Sequence, residues 1–254
     1  MTRIFALSDI HLDYESNQRW LDGISTHDHQ ADILLLAGDV SDRRAVLERC
    51  FADLTRRFKK VLYVPGNHDL WVRGDSGHDT SFDKFQAIRQ VAHDFGVSMT
   101  PLHDRAVSIV PLLGWYDYSF GQPSEELLGI WMDYRTCRWP AGADDGAITR
   151  YFTNENELAR ATPGRTVISF SHFLPRIDLM PTYIPLQHRL IYPVLGSSVL
   201  EEQIRLLGSK IHVYGHSHVN RHVTMEGVLY VNNALAYPTE ARISARALKC
   251  IFEY

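Results

Sequence analysis

Seven side chains that can hold a metal ion stand directly after short apolar runs. They are Asp9 and His11 in Ser8-Asp9-Ile10-His11, Asp39 in Gly38-Asp39, Asn67 in Gly66-Asn67-His68, His172 in Ser171-His172, and His216 and His218 in Gly215-His216-Ser217-His218. Carboxylates, an amide and imidazoles make a nitrogen and oxygen donor set that suits Mn, Fe or Zn and omits the thiolates a structural zinc favours. Shared through one bridging carboxylate, the set is enough for two divalent ions. Such a pair, offset by the aspartates and a bridging hydroxide, keeps a charge of about +1 to attract an anionic phosphate. The chemistry this points to is phosphate ester hydrolysis, with a metal-bridging hydroxide attacking phosphorus in line with the departing oxygen.

Residues scattered from position 9 to 218 meet only if the fold brings them together. Ile4 to Leu7, Ile33 to Ala37, Val61 to Val64, Val167 to Phe170 and Ile211 to Tyr214 read as buried strands, and each runs into one of the five blocks. In an open α/β sheet, ligands sit beyond the carboxyl ends of the strands, so these endings converge. Gly38, Gly66 and Gly215 let the chain turn sharply as it leaves a strand. Between strands, Val46, Leu47, Cys50, Phe51, Leu54 and Phe58 mark one apolar helix face; Phe82, Phe85, Ile88, Val91 and Phe95 mark another, and Val199, Leu200, Ile204 and Leu207 a third. Val228 to Val231 and Ala247 to Phe252 read as closing strands. The alternation predicts an α/β fold with a mainly parallel sheet.

Residues 111 to about 147, rich in Pro, Gly, Trp and Tyr without a steady period, read as an irregular insertion or cap in a single domain spanning 1–254. Within it, Trp115-Tyr116-Asp117-Tyr118 could stack on an aromatic or nucleoside leaving group or simply pack the core. His27-Asp28-His29 precedes a strand and belongs at the opposite edge, as a polar loop. His78, His93, His103, His188, His212 and His222 have no placement in a motif, and solvated or core roles are expected for them.

With 254 residues, 45% hydrophobic and 22% charged, the chain has the composition of an ordinary folded protein. Its formal net charge of −4 offers no general attraction to nucleic-acid phosphates, so no stable nucleic-acid partner is expected and local charge must draw any anionic substrate. Cys50, Cys137 and Cys250 are odd in number and never in a C-x-x-C spacing, which supports neither a disulfide framework nor a zinc-thiolate site and fits a reducing cytoplasm. No signal-peptide core and no apolar stretch near the roughly 20 residues of a membrane span is present. The expectation is a soluble, unprocessed cytoplasmic protein. Its oligomeric state is not specified.

DIH at 9–11, GDVSD at 38–42, GNHD at 66–69, SH at 171–172 and GHSH at 215–218 follow one another in order. This resembles in full the pattern D-x-H, G-D-x-x-D, G-N-H-[DE], H and G-H-x-H of the calcineurin-like metallophosphoesterase superfamily. The resemblance implies two facing mixed β-sheets flanked by helices, which periodicity does not specify. It implies that Asp9, His11 and His218 hold one metal, that Asn67, His172 and His216 hold the other, and that Asp39 bridges them. It further implies two divalent or mixed-valence ions, with Mn favoured over Fe or Zn.

His68 follows the ligand Asn67 directly, so its ring should point elsewhere and reach the substrate as a general acid. By resemblance to the second aspartate of G-D-x-x-D, Asp42 would hydrogen-bond His68 and fix its tautomer; it could also cap the following helix. Arg43 occupies the place of the phosphate-binding arginine in the protein Ser/Thr phosphatase branch, and with Asn67 it would contact substrate. The chain departs from that branch in lacking the next glycine, in Pro65, and in GNHD where GNHE is usual. GNHD looks more like small bacterial-type phosphodiesterases, so a small phosphodiester or phosphomonoester is expected. The alternatives are a nuclease or a phosphoprotein phosphatase of the same superfamily and, more remotely, a non-catalytic protein-binding scaffold of the kind found in the retromer coat.

Overall fold

A computed structural model describes residues 1–73, 77–158 and 164–254. Strands β1 (Arg3–Leu7), β2 (Ile33–Ala37) and β3 (Lys60–Val64) are parallel, separated by helices α1 (Glu15–Asp22) and α2 (Arg44–Arg57). Helix α3 (Ser81–Asp94) follows. The second half carries β4 (Leu102–His103), β5 (Val107–Pro111), α4 (Glu125–Ile130), α5 (Asp133–Thr136), α6 (Asp145–Asn154), β6 (Thr166–Phe170), α7 (Ser198–Leu207), β7 (Ile211–Tyr214), β8 (Arg221–Met225), β9 (Val228–Asn232) and β10 (Lys249–Glu253). The strands form a four-stranded sheet in the order β10-β1-β2-β3 and a six-stranded sheet in the order β4-β5-β6-β7-β9-β8. Both are mixed: β10 runs antiparallel to β1, as do β4 to β5 and β8 to β9.

Why two sheets face each other follows from the period of two along each strand. Ile4 and Ala6, Ile33, Leu35 and Ala37, and Leu62 and Val64 pack against Val107, Ile109, Ile168, Phe170, Ile211, Val213 and Val231 in a core between the sheets. The alternate residues, Phe5, Leu7, Leu34, Leu36, Val61 and Tyr63, join Leu47, Phe51, Leu54, Phe85 and Ile88 of the helices in a second core. A strand buried on both faces must be apolar at every position, hence ILLLA in β2.

The predicted strands and the three predicted helices are present with ends shifted by a few residues; the closing strand runs over Lys249–Glu253, not 247–252. Helices α1, α4, α5 and α6 and strands β4, β5 and β8 escape the periodic reading. Helix α1 buries only Asn17 and Leu21, too little for an apolar stripe. Strand β5 includes Ser108 and ends at Pro111, β4 is two residues long, and β8 alternates with exposed His222 and Thr224. The segment 111–147 is not wholly irregular, since it contains α4 and α5, and Trp115 and Tyr116 are fully buried in the core. That burial removes them from any stacking role towards a leaving group. His29 packs beside Phe5 and Phe58, away from the strand endings described next, and His212 is fully buried between the Ser169 and Ser171 hydroxyls.

Candidate metal centre

Four of the five strand endings are tied in pairs through their main chains. Asp9 N–H donates to the Gly38 carbonyl, His11 N–H to Asp39, Gly215 N–H to His172, and Ala236 N–H to Asp9. The Asn17 amide donates to the carbonyls of Ile10 and Ala236, which gives α1 a function that its sequence does not advertise. Asp9, His11, Asp39, His216 and His218 all have left-handed φ, between 37° and 67°, and only three other non-glycine residues do so among those described. Each such residue costs on the order of 1–3 kcal/mol and persists because surrounding contacts over-determine it, a pattern that marks functional sites. Of the three glycines at these turns, Gly38 alone needs a left-handed φ, of 81°. Gly66 is required by close approach instead: a Cβ there would overlap the Asp39 carboxylate and lie 2.7 Å from His172 Cε1. Gly66→Ala should therefore displace Asp39 and lower metal occupancy by at least about tenfold, as loss of a ligand's support does. Metal analysis of the purified variant checks this.

Asp69, the last residue of GNHD, carries the rest of the scaffold. Its fully buried carboxylate accepts from the main-chain N–H groups of Asp39, Val40, Ser41 and Gly66 at 2.8–3.0 Å and from the Tyr63 hydroxyl at 2.8 Å. Asp69→Ala strands those donors, so a loss of about 3–5 kcal/mol in unfolding free energy is expected by denaturant titration.

The seven side chains singled out in the sequence meet in two groups. Asp9, His11, Asp39 and His218 present donor atoms within 4.8 Å of one another, as do Asp39, His172 and His216. Asp39 belongs to both. Asn67 Oδ1 lies 3.1 Å from His172 Nε2 and joins the second group. The chemistry of that group suits a cation. His172 Nδ1 must donate to the Ala37 carbonyl and His216 Nε2 to the Val194 carbonyl, and burial above all keeps both rings neutral. His172 Nε2 and His216 Nδ1 are then bare lone pairs facing each other at 3.1 Å, with the Asn67 oxygen alongside.

The first group is charged differently. Burial opposes charge on His218, yet the carboxylates of Asp9 and Glu240 outweigh it and raise the ring to about 10. Burial also opposes charge on Asp9, but His218 at 3.4 Å holds the carboxyl low. His11, whose Nε2 lies 3.1 Å from that of His218, is pushed down to about 3 by burial and then by the His218 charge. Burial, then Asp9 and Asp69, push Asp39 well above the usual carboxylate range. Crowded carboxylates of this kind are what a divalent ion neutralises, displacing the proton as it binds. Glu240 accepts from His218 Nδ1 at 2.6 Å, a carboxylate–histidine arrangement that orients a metal ligand.

A cleft of about 610 Å³ opens beside the first group, lined by His11, Asp13, Tyr14, Asp42, Arg43, His68, Trp71, Arg73, Met132 and Tyr237. His68 is outside both ligand groups. Its main-chain N–H donates to Asp39 Oδ1, its ring stacks on Trp71 at 3.7 Å, and its side chain is 20% exposed to the cleft. Tyr237 Oη lies 3.4 Å from His68 Nε2, and the ring packs 4.4 Å from His11. Arg43 reaches the cleft but its Nε donates to Asp13, 2.9 Å away on the exposed surface, a pairing weak enough to exchange for a phosphate.

Asp42 differs from the expectation. It lines the same cleft, yet no hydrogen bond joins it to His68 among the described residues. The charges around it are those of Asp13, Lys84, Arg73 and Arg43, and its main-chain carbonyl accepts from Lys84. Nor does it cap α2, where Arg43 takes the N-cap position without a side-chain bond. The chain turns towards α2 at this point and carries the carboxylate with it. Sequence reasoning missed Asp69, Asp133, Asn17, Glu240 and Tyr237; only Asp69 stood within a quoted motif.

Comparison with known proteins agrees with this geometry. The chain is 26% identical over 272 residues to the [acyl-carrier-protein] phosphodiesterase PptH of Mycobacterium tuberculosis, an alignment covering 94% of this chain and 79% of that protein. The crystal structure of the phosphopantetheinyl hydrolase PptH from the same organism superposes with a TM-score of 0.78 at 22% identity, over 98% of this chain and 95% of that one. A purple acid phosphatase from yellow lupin seeds, Lupinus luteus, shares the fold more distantly, with a TM-score of 0.52 at 13% identity, over 91% of this chain and 43% of that one. The family model of the calcineurin-like phosphoesterases matches residues 2–220, most of the sequence, and the chain belongs to that family.

Proposed function

We propose that this phosphoesterase is a binuclear metal-dependent phosphodiesterase, with Asp9, His11 and His218 on one ion, Asn67, His172 and His216 on the other, and Asp39 between them. The observation that carries this reading is the meeting of those side chains in two groups that share Asp39 beside an open cleft. Mn is the favoured metal, with Fe or Zn as alternatives for the same nitrogen and oxygen donors. When bound, the ions supply Lewis acidity towards the phosphoryl oxygens and ionise water near neutral pH. The protein's own part is positional. Arg43 offers a guanidinium to a phosphoryl oxygen, and His68, whose ring burial above all pushes well below the usual imidazole range, takes up a proton with the anionic substrate and gives it to the departing alkoxide as the phosphorus–oxygen bond breaks. The Asp39 oxygen that accepts from His68 N–H keeps that ring at a fixed place relative to both ligand groups.

For the substrate, the relative's printed activity on acyl-carrier protein, over nearly the whole of this chain, favours a diester over a monoester. We place a phosphopantetheinyl group joined to an acyl-carrier protein first, ahead of the small soluble ester that the sequence pattern alone suggests. The cleft, exposed at Arg43 and Arg73, admits such a protein-borne group. No helix among the described residues is long and apolar enough to cross a membrane, and three free thiols suit a reducing cytoplasm. The test is one turnover comparison of the Mn-loaded enzyme on a phosphopantetheine-bearing carrier protein, an aryl phosphodiester, an aryl monoester, a cyclic nucleotide and single-stranded DNA. Release of that group from the carrier at the highest rate is expected, abolished by chelator and restored by Mn. Faster DNA cleavage would make the chain a nuclease, and full activity after metal removal would end the metal reading altogether.

A further inference from the structure

Asp133 stands at the start of α5, in a segment whose sequence suggests nothing catalytic, and is 2% exposed. Its Oδ1 accepts from Asn67 Nδ2 at 2.8 Å and from Trp71 Nε1 at 2.7 Å, and its Oδ2 accepts from Trp131 Nε1 at 2.8 Å. An asparagine amide presents two ends of nearly equal size, of which only the oxygen can bind a metal ion. A carboxylate is acceptor-only, so the end of Asn67 that faces Asp133 must be the NH₂, and the oxygen is turned towards His172. The two indoles held by the same carboxylate touch the site as well. Trp71 stacks on His68, and the edge of Trp131 meets the His216 ring at 5.9 Å.

We propose that Asp133 is the positioning residue for the second ligand group, selecting the metal-binding orientation of Asn67. This rests on the two-metal reading above. It says that what matters is an acceptor oxygen at the Oδ1 position, and that Asp133 acts through Asn67 without touching metal or substrate. A buried carboxylate that merely satisfied two indoles would stabilise the chain without preference between the two ligand groups.

The full-length chain, stripped of metal and titrated with Mn²⁺, separates these cases when stoichiometry, affinity and electron paramagnetic resonance are read together. Wild type should bind two Mn²⁺ and show an exchange-coupled pair. Asp133→Ala should weaken the second ion by about 10–100-fold, as loss of an outer-shell partner does, leave the first unchanged and replace the coupled signal with that of an isolated ion. In an Asn67→Ala background, adding Asp133→Ala should weaken it no further. Asp133→Asn, whose amide oxygen can still serve Asn67 and Trp71, should stay near wild type. Asp133→Leu, which fills the space without an acceptor, carries the same readout if the alanine variant does not fold. Wild-type affinity in Asp133→Ala, an equal loss at both ions, or Asp133→Asn as weak as Asp133→Ala would overturn the proposal and leave the two-metal reading intact. Fewer than two Mn²⁺ on wild type would overturn both.

Discussion

Asp39→Asn should weaken metal binding by both ligand groups and lower turnover by about 10³-fold or more, because it takes the carboxylate charge and one of two oxygens from the side chain the groups share. The reason is geometric. Oδ1 faces the second group, 3.5 Å from His172 Nε2, while Oδ2 faces the first, 3.9 Å from His11 Nε2. An asparagine has the same shape but a single oxygen, so it can serve one group at most. Whichever way it turns, something is lost. With the NH₂ at Oδ1 it meets the His68 N–H, which donates to that atom, and with the NH₂ at Oδ2 it meets the first group. Metal analysis after desalting and turnover of an aryl phosphodiester in excess Mn are the measurements. Two tightly held ions and activity within tenfold of wild type would remove Asp39 from the bridging position.

His68→Ala should behave in the opposite manner, keeping about two metals per chain while turnover falls by about 10²–10⁴-fold, the range of general acid catalysis. The ring lies outside both ligand groups, stacked on Trp71 and open to the cleft, so removing it uncovers no metal position. The loss should shrink towards tenfold for an aryl leaving group, whose oxygen departs without a proton, and remain large for an alkyl diester. This contrast separates an acid from a residue that only shapes the cleft. An equal loss on both substrates would deny His68 the proton-transfer role, and loss of metal would make it a ligand.

These two experiments probe what the residue types announced in advance. A metal centre demands particular donor atoms, so Asp9, His11, Asp39, Asn67, His172, His216 and His218 were recognisable wherever they fell along the chain. Their strands were recognisable for a related reason: β1, β2, β3, β6 and β7 are buried on both faces and admit few polar residues before the turn. Half-exposed β8 and the weakly buried α1 carry no such constraint and went unseen. Asp42 shows the opposite hazard. Its place in a motif suggested a bond to His68, but a position in a motif says nothing about where a side chain turns in the loop between a strand and the next helix.

Composition and order of motifs therefore determined the reaction class, the α/β fold and the candidate ligands. The supporting groups came only with tertiary structure. Asn67 finds Asp133 across 66 residues and His218 finds Glu240 across 22, and each of these contacts requires only an acceptor at the right point in space. A hydrogen bond of that kind places no demand on spacing or on neighbouring residues, so it leaves no pattern in the sequence. The same holds for the left-handed turns at Asp9, His11, Asp39, His216 and His218, which contacts from distant segments enforce against the local preference of the chain. The chain declares which atoms do the chemistry, and packing decides how they are aimed.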